Sequence, residues 1–99
     1  MRQITAEACR AFEQDRIFRL SNTEVHVDMT GTRMYLWGNL IARKVGNRVQ
    51  VTLAGYNTQT TRERLNGLTG VTCTTHKGQA FINGKPVAND EWVQVSEVL

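Results

Sequence analysis

Proline occurs once, at Pro86, cysteine and histidine twice each, and nowhere in the 99 residues does an apolar run last long. Each shortage excludes something. With 40% hydrophobic residues and charges of both signs, so little proline describes a chain that folds throughout rather than a disordered one. No run approaches the roughly 18 apolar residues of a membrane-spanning helix. The first residues, with Arg2, Glu7 and Arg10 spread through a helical pattern, lack the apolar centre of a signal peptide. The cytoplasm is therefore the expected location, with no membrane partner. Cys9 and Cys73 stand far apart and in no CxxC spacing, which argues against a zinc half-site or a disulfide framework and for two small buried side chains.

Catalytic patterns are equally scarce. His26 and His76 have no nearby cysteine or carboxylate at a ligand-like spacing, so neither is read as a metal ligand. Glu24, Asp28 and Asp90 offer carboxylates, yet no nucleophile elbow, phosphate loop or paired-acid motif accompanies them. The expectation is a protein that is not an enzyme, with no cofactor and no metal. Charge is present but dispersed: twelve basic and nine acidic residues are interleaved, for a net +3, which permits nucleic acid or an acidic protein as partner and requires neither.

What the sequence does have is periodicity. Ninety-nine residues make one α+β domain, 1–99, of modest stability. Ile4, Ala8, Ala11 and Phe12 recur at helical spacing, predicting an amphipathic helix over 5–14 capped by the Thr5 hydroxyl. Arg16 to Leu20 reads as a short extended arm leading to a Ser21-Asn22 turn. Val25, Val27 and Met29 then alternate with Glu24, His26 and Asp28, and a Thr30-Gly31 turn makes a hairpin in which Val27 faces Met34, Val25 faces Leu36, Asp28 faces Arg33 and His26 faces Tyr35. Parity is kept through "YLWGNLIARKV", predicting one long strand bent at Gly38-Asn39, with Leu40 and Ala42 inward and Ile41 outward. Gly46-Asn47 makes a second hairpin, opposing Ala42 to Val51 and Leu40 to Leu53. The result is a three-stranded antiparallel meander.

Beyond it, Thr60-Thr61-Arg62-Glu63 fits a capping box that starts a short helix, with Gly67 or Gly70 as a left-handed stop and Leu65 and Leu68 docking it. Arg62 and Arg64 are expected on its solvent side. A C-terminal β-hairpin region follows, with turns at His76-Lys77-Gly78 and Asn83-Gly84, and Pro86 places its segment at an edge.

Candidate binding residues follow from this layout. The outer face of the meander presents His26, Arg33, Tyr35, Trp37, Arg43 and Arg48, whose rings and guanidinium groups suit either a protein interface or stacked bases and phosphates. Coverage of that face by a helix or by the C-terminal strands is the competing reading. Tyr56, Arg62 and Arg64 join the partner-binding set because no structural task is evident for them.

Three phrases, "MYLWGNLIA", "TQTTRERLNGL" and "KGQAFINGKPV", resemble in this order a family of small bacteriophage and prophage accessory proteins, which share a GN-IA strand, a TT-x-R-L-N helix start and an N-G-K hairpin. The resemblance runs from about Ile4 to Val87. It implies a phage accessory gene product in the cytoplasm of a bacterial host; with that context, the exposed aromatic and arginine residues and the lack of a catalytic motif, the expectation is a non-enzymatic protein that binds and inhibits a host protein or ribonucleoprotein complex, for example a defence system, in the manner of anti-CRISPR proteins. A small nucleic-acid-binding module and a phage structural or assembly protein are the alternatives.

Overall fold

The computed structural model describes residues 2–97, and the side chains of 2–95. The first helix, α1 (Gln3–Glu13), packs Ala8, Cys9, Ala11 and Phe12 into the core from one stripe. It begins two residues earlier than the sequence suggests. Arg2 occupies the cap position without a side-chain bond to the helix's own first turn, and Thr5 lies inside the helix, fully buried, its hydroxyl turned to a different task described below. At the other end the Lys44 ammonium reaches the carbonyls of Phe12 and Glu13, 3.0 and 3.1 Å away, and pairs with Asp15 at 2.8 Å. A cation there complements the negative end of the helix dipole.

Six antiparallel strands form the main sheet, in the order β1 (Phe18–Leu20), β2 (Thr23–Asp28), β3 (Gly31–Leu36), β4 (Asn39–Val45), β5 (Arg48–Val51) and β9 (Val93–Glu97). The expected three-stranded meander is therefore incomplete: the Arg16 to Leu20 arm adds a strand at one edge, and the C-terminal segment adds one at the other. Pairing in the first hairpin also differs. Val25 opposes Met34 and His26 opposes Arg33, a slip of two residues, because Met29-Thr30 and not Thr30-Gly31 forms the loop between Asp28 and Gly31. A slip of two preserves which side chains face inward, so the core assignment of Val25 and Met34 survives.

The long bent strand is not formed. Trp37 and Gly38, with φ of 49° and 77°, make a two-residue turn in which both central residues are left-handed, and β3 and β4 pair back on each other. Such a turn sends Leu40 to the outer side opposite Tyr35. A β-bulge then admits one extra residue, Ile41, between the Tyr35–Leu40 and Met34–Ala42 pairs, and restores Ala42 to the core side. Ile41, expected outward, is thus 1% exposed. The Gly46-Asn47 hairpin pairs Ala42 with Val51 as expected, but the ladder ends there: Thr52 donates to the Ile41 carbonyl and the chain leaves the sheet, so Leu40 and Leu53 do not pair.

After the sheet comes α2 (Gln59–Asn66), capped by Thr58, whose hydroxyl accepts from the Thr61 N–H at 3.2 Å. The Thr60–Glu63 capping box does not form, because Glu63 is drawn to Arg2, Thr5 and Arg64. Leu65 and Leu68 dock the helix as expected. Gly70 is left-handed at φ 82°, whereas Gly67 is right-handed; there a Cβ would fall 2.6 Å from Cys9 Sγ and 2.8 Å from Thr5 Cγ2, so the missing side chain is what lets α2 lie against α1. Strands β6 (Cys73–His76), β7 (Gln79–Ile82) and β8 (Lys85–Val87) then make a small sheet through turns at Lys77-Gly78 and Asn83-Gly84, with Pro86 on the edge strand β8. Val71, Cys73, Ala80, Ile82 and Val87 join the same core as both helices and the inner face of the large sheet.

Candidate interaction site

Two surfaces gather the sequence-expected binding residues. The first is a cleft of about 240 Å³ lined by Leu36, Trp37, Asn39, Ile41, Leu53, Ala54, Tyr56, Thr58 and Thr61. Its construction follows from the turns. The bulge turns Ile41 inward beside Leu36, the chain's departure from the sheet carries Leu53 under them, and these three buried side chains make the floor. Trp37 and Ala54, each preceding a glycine, sit at left-handed backbone positions, φ 49° and 55°, where the chain reverses. Trp37 and Tyr56 remain 61% and 55% exposed at the rim. None of the nine lining residues carries a charge. The aromatic pair comes from two loops nineteen residues apart, 56 − 37 = 19, brought together by the fold alone.

The second surface is the outer face of the large sheet. Arg33 is held there by Asp28, 2.6 Å away, and by the Tyr35 hydroxyl at 3.2 Å, while the Tyr35 ring tilts against His26 with centroids 4.8 Å apart. The partnerships anticipated from the sequence are made, diagonally instead of straight across. The Arg33 guanidinium, followed by the Thr30 hydroxyl, holds the Asp28 carboxyl well below the usual carboxylate range. The Arg43 guanidinium lies 4.0 Å from the Trp92 ring centre, and its Nε donates to Gln50 at 2.7 Å. Arg48 is exposed on β5. Trp92, which sequence reasoning passed over, is the one described aromatic laid across this face from another element.

Two expected contacts lie elsewhere. Arg62 is half-buried and donates to the backbone and side-chain oxygens of Asn57, at 3.1 and 2.5 Å, tying down the approach to α2. That structural task explains an arginine in the first turn without a partner. Arg64, expected in solvent, is 1% exposed. Its guanidinium donates to Thr5 (2.6 Å), Glu63 (2.6 Å), Thr23 (3.0 Å) and Asn22 (3.4 Å), which joins α1, α2 and β2. The Thr5 hydroxyl in turn donates a hydrogen bond to Glu63, which also accepts from Arg2 at 2.8 Å. Burial, and after it the Arg2 charge, lowers the Arg64 pKa, but from a value so high that it stays protonated. Arg64 is a core residue and leaves the candidate binding set.

Both cysteines are free and buried, as anticipated, and burial pushes the Cys9 thiol up to about 12. Among the described residues no three His, Cys, Asp or Glu side chains gather where they could hold a metal ion, and no helix is long and apolar enough to cross a membrane.

Comparison with known proteins bears on the source of the chain. The family described as Kyanoviridae Gp96 protein matches residues 1–98, a span that includes all three phrases on which the phage resemblance rests. No curated protein and no solved structure matches the chain.

Proposed function

We propose that this chain, which belongs to the Kyanoviridae Gp96 protein family and so to a family of phage proteins, is a non-enzymatic accessory protein that binds and inhibits a complex of its bacterial host. The observation that carries the reading is Trp37. An exposed indole on a left-handed backbone, in a turn whose first position favours Asn or Asp, is a costly placement for a bulky side chain. Backbone strain of this kind clusters at ligand-contacting positions. Together with Tyr56 the ring borders an uncharged apolar cleft, the composition of an interface hot spot. A defence complex of the host, protein or ribonucleoprotein, is the target class that suits an inhibitor of this size.

Trp37→Asn tests the assignment cleanly. Asn is at home in the left-handed turn, so the variant should be more stable than wild type by about 0.5–1 kcal/mol in denaturant unfolding. The same variant, tagged and expressed in the host, should lose a partner that the wild-type protein retains in stoichiometric amount. Recovery of the wild-type protein alone under gentle conditions would count heavily against the reading.

A second reading has one observation in its favour. Arg43 stacked on Trp92, with Tyr35 and Arg48 on the same face, resembles a platform for single-stranded nucleic acid. Binding of that kind weakens steeply with salt. A gel shift at low salt with no retarded species removes it.

A further inference from the structure

We infer that the open edge of β1 is a second interaction surface, independent of the Trp37 cleft, and that it takes up an acidic, extended segment of a partner protein as an added strand. Backbone geometry is the first argument. Leu20 and Thr23 close the two-residue Ser21-Asn22 turn, and hydrogen-bonded pairs alternate along an antiparallel ladder, so Arg19 turns its N–H and C=O away from β2. No other described strand lies on that side. The small sheet shows how such an edge is closed. On β6 the Asn66 side chain bonds the Cys73 N–H and carbonyl, at 2.6 and 2.8 Å, and on β8 Pro86 has no N–H to offer. β1 has neither device. Peptide groups left open in this way are matched by another extended backbone, which neither a helix nor a nucleic acid supplies.

Beside the edge runs a groove of about 360 Å³ between α1 and the start of β1, lined by Glu7, Arg10, Ala11, Arg16, Ile17 and Phe18. Ala11 and Phe18 give it an apolar floor continuous with the core, on which the inner side chains of an added strand would rest. Charge selects the segment. Arg10, Arg16 and Arg19 are exposed, and none makes an ion pair or a side-chain hydrogen bond among the described residues. Arg19 stands opposite Glu24, but that carboxylate is bonded to His26 at 2.9 Å. Glu7, the one acid in the groove, already accepts from Gln3 at 2.9 Å. The surplus of cations suits acidic side chains on the entering strand. It also opposes a second copy of this chain, whose own β1 would lay arginine against arginine.

The test uses the full-length protein, isotope-labelled for NMR, and a synthetic peptide that alternates glutamate with valine. Saturable shifts should be confined to residues 16–20 and the 7–11 part of α1, and exchange of the Arg19 amide hydrogen with solvent should slow. Arg19→Pro removes that hydrogen without removing a ladder bond, so it should abolish binding and keep the fold. Arg10→Ala combined with Arg16→Ala should weaken binding roughly tenfold, and Trp37→Asn should leave it unchanged. Absence of shifts, an Arg19 amide that exchanges as fast when the peptide is bound, undiminished binding by the double arginine variant, or equal binding of a peptide alternating lysine with valine would each overturn the inference. So would tighter binding of oligothymidylate at the same residues, or a dimer closed through β1 in sedimentation. If Arg19→Pro does not fold, the exchange measurement on the wild-type protein decides. Failure here leaves the Trp37 reading standing, because that reading is judged by the host pull-down.

Discussion

Arg64 is the side chain around which the interior is wired. It reaches Glu63 on its own helix and three residues beyond it, on α1, on β2 and in the turn before β2, and every polar group it touches is at least partly withdrawn from water. Removing the guanidinium takes a donor away from the Glu63 carboxylate and from two buried threonine hydroxyls, and empties the space it fills between α1, α2 and β2. Arg64→Ala should therefore cost roughly 3–5 kcal/mol, far more than a surface arginine. Arg64→Lys should recover only part of it, because a point charge cannot serve four acceptors spread across a planar fork. Denaturant unfolding of the two variants checks both statements; a loss below about 1 kcal/mol for Arg64→Ala would mean the network is ornamental.

Glu63 gives the same network a pH dependence. The Thr5 hydroxyl first, then Arg2, holds its folded-state pKa below the ordinary 4.5. Its contribution is therefore present above the unfolded value and is lost as pH falls through the lower folded one. Asp15, held down chiefly by Lys44, acts in the same direction. Glu63→Gln should flatten the fall in stability below about pH 4.5, measured by urea unfolding across the acid range. An acid limb as steep as wild type would show that other carboxylates carry it.

At the scale of elements, closeness between helices depends on one missing methyl group. Gly67→Ala would drive a Cβ into Cys9 and Thr5, displacing α2 from α1 and with it the Arg64 network. Overpacking of this kind costs about 1–3 kcal/mol. The expected readout is a lower melting temperature with unchanged secondary structure, and a neutral Gly67→Ala would show that the helices can separate freely.

Which elements the sequence announces, and which it hides, follows from how local their causes are. Helical spacing at Ala8, Ala11 and Phe12, the Asn83-Gly84 and Lys77-Gly78 turns, and Pro86 at an edge all depend on neighbours a few residues away, and all are readable. The turn at Trp37-Gly38 is obscured because a tryptophan stands where asparagine is usual, and unbroken inward parity is the simpler pattern. Only the bulge at Ile41, invisible to a strict two-residue period, reconciles that turn with a buried Ala42. The burial of Arg64 is hidden from the sequence for another reason. Helical spacing identifies the side away from Leu65, but a second helix and a strand turn meet there, and long-range packing decides exposure. The cleft was half legible, through Trp37 and Tyr56; its floor depends on where the chain leaves the sheet.

For the whole molecule, one core means one unfolding event, and the two thiols report it. Cys9 and Cys73 lie in the same cluster, contributed by the first helix and the small sheet, and burial raises the pKa of both. Thiolate is the reactive form, so native protein should resist an aromatic disulfide reagent at neutral pH, and both thiols should react together at the rate of opening. Rapid labelling of Cys73 alone would show that the small sheet opens independently.

The pairing of β9 with β5 has a consequence in time. Strands β1 to β5 meet their neighbours as soon as each turn is made, whereas β5 waits for a segment 97 − 51 = 46 residues further along. At about 5–20 residues per second of synthesis, that is an interval of roughly 2–9 s. Throughout it, the nascent chain carries a nearly finished sheet with an unclosed border. What covers that border is β9, so this late-made segment protects β5 from pairing with neighbouring nascent chains and takes over as the edge of the finished sheet.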